Sequence, residues 1–244
     1  ATPAEDAASA TPTVGTPVLD ARLAALGAAF AGAGALAAGA DRALADRLQA
    51  PAVQARPGLR RGAVAFRWFA EPGMVVALPA VWAIGSAAGD RDVAAVGLRG
   101  TESIALALGT VGVVKLVAGR ARPSVPGRDP GRWRLGDGLR HGSEFRSFPS
   151  GHTATAFAAA TAVTAEVAAR RPGTRWAVGV PLHALAAGAG WSRMFENRHW
   201  ASDVVGGAAV GTLSALLVSR WHRAHPGSAF DRRLLPAGDP SGTR

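Results

Sequence analysis

The chain has 244 residues, enough for one domain with a real core, and it has no cysteine, which excludes a disulfide framework, a thiolate metal site and a cysteine nucleophile. Its formal net charge of +10 fits either plain solubility or an anionic partner such as a phosphate ester or an anionic lipid surface. Nucleic acid is set aside, because the arginines scatter over loops and no basic stripe is interleaved with aromatic residues.

Abundant alanine and scarce alternating β-branched runs predict an all-α protein, a helical bundle of about seven helices. Residues 1–17, rich in Ala, Thr and Pro and without periodicity, are expected to be a disordered lead-in. The chain starts at Ala1, so two expectations stand for that end: an export signal peptide removed upstream, or simple trimming. A first helix is expected over 18–47, starting near Asp20 and running through Leu23, Leu26, Phe30 and Leu36. Two prolines and a basic cluster make 50–60 a linker, and a short helix over 61–70 meets the turn signal Glu71-Pro72-Gly73. Helices follow over 74–89, closed by Gly89-Asp90, and over 91–120, which carries Lys115 and stops before Pro123. Residues 123–147 form a long Gly/Pro/Arg loop with Trp133 and Phe145, expected to be either a substrate gate or a mobile solvated loop. Ser150 is placed as the N-cap of a helix over 151–170, followed by helices over 174–190 and 200–223 and a loose tail over 226–244. One domain thus covers 18–225. The uncharged stretches 23–40, 72–89 and 176–192 approach the ~18–20 residues a spanning helix needs, but they are mostly Ala and Gly, so an Ala-rich bundle packed in water gives the same pattern. The expectation is a protein of the cell envelope, periplasmic or otherwise extracytoplasmic, or membrane-associated.

The chemistry concentrates in residues 115–203. Lys115 is the only lysine in a chain that otherwise uses arginine, which points to a need for a compact ammonium head. Arg122 lies two helical turns on, so the two cations can face one way. Ser150 and Gly151 open a helix whose free N–H groups make an anion site, and His152 beside it is placed to protonate a leaving oxygen. His199 and Asp203 are four apart on one helical face. The carboxylate can accept the imidazole Nδ1–H and leave Nε2 as nucleophile or base. Arg193 offers a fork of donors to phosphate oxygens. Taken singly these are a solvated basic helix end, a helix cap with a surface histidine, and an ordinary i,i+4 pair. Their joint occurrence is specific.

The pattern K-x6-RP (Lys115, Arg122, Pro123), PSGH (Pro149, Ser150, Gly151, His152) and SR-x5-H-x3-D (Ser192, Arg193, His199, Asp203) resembles the type 2 phosphatidic acid phosphatase superfamily. That family also takes in bacterial non-specific acid phosphatases and vanadium-dependent haloperoxidases. The resemblance implies that His199 is the nucleophile, forming a phosphohistidine that water hydrolyses, and that Asp203 orients it. His152 would protonate the leaving alcohol and then activate the water. Lys115, Arg122, Arg193, Ser150 and the Gly151 N–H would hold the phosphoryl oxygens, with no metal and no cofactor. The implied activity is a metal-independent phosphatase for phosphomonoesters or diphosphates, either lipid or polyprenyl phosphates or soluble organic ones. The alternative on the same fold is a vanadate-dependent haloperoxidase, for which this chain is short. A non-catalytic bundle would bury these polar groups at a cost without use. His141, His183, His222 and His225 fall outside the motifs and are read as structural or solvated.

Overall fold

The structure, a computed structural model, describes residues 18–237. The expected disordered lead-in, 1–17, and the end of the expected tail, 238–244, lie outside the described residues. Helix α1 (Ala21–Gln49) opens on Asp20, whose Oδ1 accepts from Leu23 N at 2.8 Å. The stretch read as a linker is instead mostly helical: α2 (Pro51–Gln54) and α3 (Pro57–Trp68) each begin on a proline. Proline at the first helical position loses no hydrogen bond and presets φ, so these residues start helices where they were taken to interrupt them. A wide π-type turn, Phe69–Met74, joins α3 to α4 (Val75–Ala87), and within it Glu71 is extended at φ −140°, ψ 121°.

Helix α5 (Arg91–Ala118) is capped by Asp90 and stops at Gly119, which has φ +55°. A Cβ at Gly119 would stand 1.8 Å from the Arg134 carbonyl oxygen, so only glycine fits there. The long loop is interrupted by α6 (Asp137–Arg140) and a 3-10 turn, Gly142–Phe145. Then come α7 (Gly151–Arg170), α8 (Arg175–Phe195) and α9 (Ala201–Ala224). The segment expected as a loose tail carries α10 (Ala229–Leu234), pinned by Trp82 Nε1 donating to Leu234 O at 2.8 Å and Arg91 donating to Pro236 O at 2.6 Å. Leu235 is buried there against Ala94, Ala95 and Leu98. The fold is all-α, and among the described residues the β content is one isolated bridge, Arg120 to Trp133.

Helix α7 is the centre of the bundle, packed on α5, α8 and α9 through buried alanines such as Ala154, Ala156, Ala158 and Ala160. Helix α9 crosses it in backbone contact: a Cβ at Gly207 would lie 2.4 Å from Ser150 O, and one at Gly211 2.2 Å from Ala154 O. Four stretches are long and apolar enough to cross a membrane: α1, Pro57–Ala87, α5 and α9. Leu36, Val76, Ile84 and Val113 are exposed on their outer faces, as suits a membrane-associated bundle. At one end of the bundle the C-termini of α5 and α8 meet the N-termini of α7 and α9, with the 119–150 loop folded over them. Toward the other end His222 lies between Glu102 (2.6 Å) and Asp231 (3.1 Å), a structural role as expected.

Candidate active site

Lys115, Arg122, Gly151, His152, Arg193 and His199 line one cavity of about 560 Å³. They come from separate segments, and their meeting depends on the helix ends just described. Lys115 sits in the last turn of α5, where Nζ donates to Arg146 O at 2.7 Å and more weakly to Ser147 O at 3.4 Å. Arg122 does not share a helix face with it, because α5 ends at Ala118 and Gly119 turns the chain. It reaches the same cavity from the loop, with Nε donating to Ser143 O (2.6 Å) and a terminal nitrogen to Arg198 O (3.2 Å). Burial, then the Arg198 and Arg193 guanidinia, hold the Arg122 guanidinium below its ordinary value, a sign of how much positive charge gathers here.

Arg193 belongs to the last turn of α8, which runs past the expected end at 190 to Phe195. Its guanidinium donates to Glu196 Oε2 at 2.7 Å, and its buried Nε makes no hydrogen bond. Ser150 occupies the N-cap position of α7 with extended φ/ψ, but its side chain does not cap. Its Oγ accepts from Thr153 Oγ1 at 2.8 Å, and its backbone N donates to Asp203 O at 2.9 Å. Gly151 faces the cavity: a Cβ there would meet nothing nearer than Val111 Cγ1 at 3.8 Å, so protein packing does not demand the glycine. Ser192 is buried away from this chemistry, donating to Ala189 O at 2.7 Å.

His199 and Asp203 are neighbours, but not as two residues on one helical face. The helix starts at Ala201, so His199 precedes it and Asp203 is its third residue. Asp203 Oδ2 accepts from the N-cap backbone N of Trp200 at 2.8 Å, the acidic half of a capping box. The same oxygen accepts from Ser147 Oγ at 2.5 Å and lies 3.5 Å from His199 Nδ1. Nδ1 is buried and makes no hydrogen bond among the described residues, with Asp203 Oδ2 as the nearby carboxylate oxygen, and the ring lines the cavity. Burial pushes the His199 imidazole down to about 3, against the pull of Asp203, with Lys115 and Arg122 adding to the lowering. The ring is therefore neutral across the physiological range.

Sequence reasoning missed four further charged residues on this cavity: Arg67, Glu71, Glu196 and Arg198. Glu71 is the most informative. Its Oε2 lies 3.4 Å from His152 Nδ1 while Oε1 accepts from Thr155 Oγ1 at 2.9 Å. A signal was present, since Glu71 is the only charged residue between Arg67 and Asp90. The loop proposed as a gate plays a different part. Among Arg128, Arg132, Arg134, Arg140 and Arg146 none lines the cavity. Phe145 is buried with Arg132 over its ring, and Trp133 packs at a tilt against Phe148 with the Arg120 guanidinium over its ring. Carbonyls at the end of this loop accept from the site cations: Ser143 O from Arg122, and Arg146 O and Ser147 O from Lys115.

With this geometry in place, comparison with known proteins is informative. A family model described as the PAP2 superfamily matches residues 98–226. Over 83 residues the chain is 47% identical to a lipid A 1-phosphatase of Porphyromonas gingivalis; the match covers 34% of this chain and only 18% of that protein's length. The crystal structure of a transmembrane PAP2 type phosphatidylglycerolphosphate phosphatase from Bacillus subtilis aligns with a TM-score of 0.51 at 21% identity, over 81% of this chain and 90% of the other. Aquifex aeolicus LpxE aligns with a TM-score of 0.50 at 20% identity, over 72% and 92%. At these identities the structural likeness is one of fold.

Proposed function

The chain belongs to the PAP2 superfamily, and from that premise we propose that it is a membrane-associated lipid-phosphate phosphatase working through a phosphohistidine and without a metal. One observation carries the reading: Lys115, Arg122 and Arg193 surround the same cavity as His152 and His199. Three cations supply the charge stabilisation that a transferring phosphoryl group needs. In the first step His199 Nε2 forms a bond to phosphorus as the ester P–O bond breaks, and His152 gives its proton to the departing alcohol oxygen. In the second, His152 takes a proton from water, the oxygen attacks phosphorus, the P–N bond breaks and inorganic phosphate leaves. Asp203 keeps the His199 proton on Nδ1 throughout, and Glu71 plays the matching part for His152.

A lipid substrate is supported by the apolar outer faces of the helices around the site and by the lipid phosphatases among its relatives. The cavity-bearing end of the bundle faces away from the cytoplasm in this reading. The test is phosphate release from a panel of lipid phosphates, a polyprenyl diphosphate and an aryl phosphate, with and without chelator. Release from the lipids that survives chelation is expected; release abolished by chelator, or none from any ester, would overturn the proposal.

A further inference from the structure

Arg120 stands between two of the motif residues, Lys115 and Arg122, yet it does not line the cavity. It is buried behind Asp203, and every donor it has is spoken for. Nε and one terminal nitrogen donate to Pro130 O at 3.1 and 2.9 Å. The other terminal nitrogen donates to Asp203 Oδ1 at 2.5 Å and to Ser202 Oγ at 2.7 Å. The remaining N–H goes to Asp41 Oδ2 at 2.7 Å. A guanidinium has five N–H donors, so this one is saturated and cannot turn toward a substrate. Trp133 covers its face at 4.6 Å.

Asp41 comes from α1, far outside the motif region. Its side chain is buried, accepting from Arg120 through Oδ2, from Ser202 N through Oδ1 at 2.9 Å, and from Ser202 Oγ at 2.6 Å. It thus holds both the guanidinium that binds Asp203 Oδ1 and the first turn of α9 that carries Asp203, while Ser147 and Trp200 N hold Oδ2. A buried ion pair is a weak source of stability, and apolar residues of the same volume would pack as well. Orientation accounts for its presence better, because a saturated, charge-assisted network holds a carboxylate in one position.

We propose that Asp41 and Arg120 are positioning residues of the catalytic centre, acting through Asp203 to hold the His199 tautomer whose Nε2 faces the phosphoryl group. The inference makes α1 part of the working site. Its kinetic arm rests on the phosphatase reading above; its spectroscopic arm does not.

The test is a double-mutant cycle with D41N and D203N, read as kcat and KM on an aryl phosphate in detergent. D41N is isosteric and keeps an acceptor for Ser202. In the wild-type background D41N is expected to lower kcat roughly ten-fold with inhibition by inorganic phosphate unchanged, and in the D203N background to lower it no further. The exposed Asp46→Asn on the same helix, whose ion pairs are only to Arg42 and Arg128, is the control and should turn over normally. Histidine-selective 15N spectra provide the second readout, assigned with H199A: Nδ1-protonated His199 in the wild type, a tautomer mixture in D41N. Wild-type kcat and tautomer in D41N would overturn the inference, as would equal losses in both backgrounds. A wild-type chain without turnover would overturn the phosphatase reading, while the spectra would still decide the role of Asp41.

Discussion

Glu71 Oε2 lies 3.4 Å from His152 Nδ1, so each of the two site histidines has a carboxylate on the same ring nitrogen: Asp203 for His199, Glu71 for His152. One pair is short-range in sequence; the other joins the α3–α4 turn to the start of α7. The parallel assigns Glu71 to orienting the acid. E71Q should lower kcat about 10–100-fold with little change in KM, and the loss should be greater for an alkyl phosphate than for an aryl phosphate, whose leaving group needs less protonation. Equal losses on both esters would mean that Glu71 merely supports the fold.

If the proposed mechanism holds, removing the His199 imidazole should end covalent catalysis. H199A is expected to lose on the order of 10³-fold or more in kcat, and acid-quench trapping should find a labile phosphoenzyme in the wild type and none in H199A. D203N should cost less, because Asp203 orients the ring and does not react. A phosphoenzyme that persists in H199A would rule out this nucleophile.

The pH profile follows from the His199 shift. A base whose pKa is lowered stays unprotonated down to that value, so with the ring at about 3 the nucleophile is available well below the ordinary imidazole range. The acid limb of kcat/KM should therefore not appear between pH 7 and 5, and because burial, then the Arg193, Arg67, Lys115 and Arg122 cations, hold the His152 imidazole down to about 4, activity should rise toward acid pH as His152 gains its proton. An acid limb centred near an unperturbed imidazole, about 6.5, would contradict the buried, neutral ring.

The α7–α9 crossing tolerates no side chain at Gly207, where a Cβ would lie 2.4 Å from Ser150 O. G207A should destabilise by about 1–3 kcal/mol, seen as a lower melting temperature in detergent. It should also reduce turnover, because the displaced strand of backbone carries Ser150 and Gly151. G32A meets no atom within 4 Å and should be neutral or up to ~1 kcal/mol stabilising through helix propensity. Equal melting temperatures for the two variants would refute the close crossing.

The absence of native cysteine makes topology directly measurable. Ser143 is exposed beside the cavity, its carbonyl accepting from Arg122 at 2.6 Å. S143C should react with a membrane-impermeant maleimide in intact cells if the cavity end is extracytoplasmic. Labelling that requires cell lysis would place the cavity on the cytoplasmic side.

The sequence by itself determined the helical class, the central α7 span and the full set of motif residues, because these depend on residue type and short spacing. Alanine content reports helix propensity, and Lys115, Arg122, His152, Arg193 and His199 reach one cavity as the motif pattern implied. The local geometry was less legible. Ser150 sits at a cap position without capping, and Asp203 approaches His199 from a capping box, since helix ends are settled by whichever hydrogen bond the packed termini leave available. The approach of Glu71 to His152, and of Asp41 and Arg120 to Asp203 and its helix, came from packing alone. Their partners lie 79 to 84 positions away along the chain, up to 161 for Asp41 and Ser202, and no periodicity in a sequence encodes a contact at that range. Such pairs exist because burying a charge among apolar helices is tolerable only where an opposite charge and its hydrogen bonds arrive with it, and packing alone brings them together.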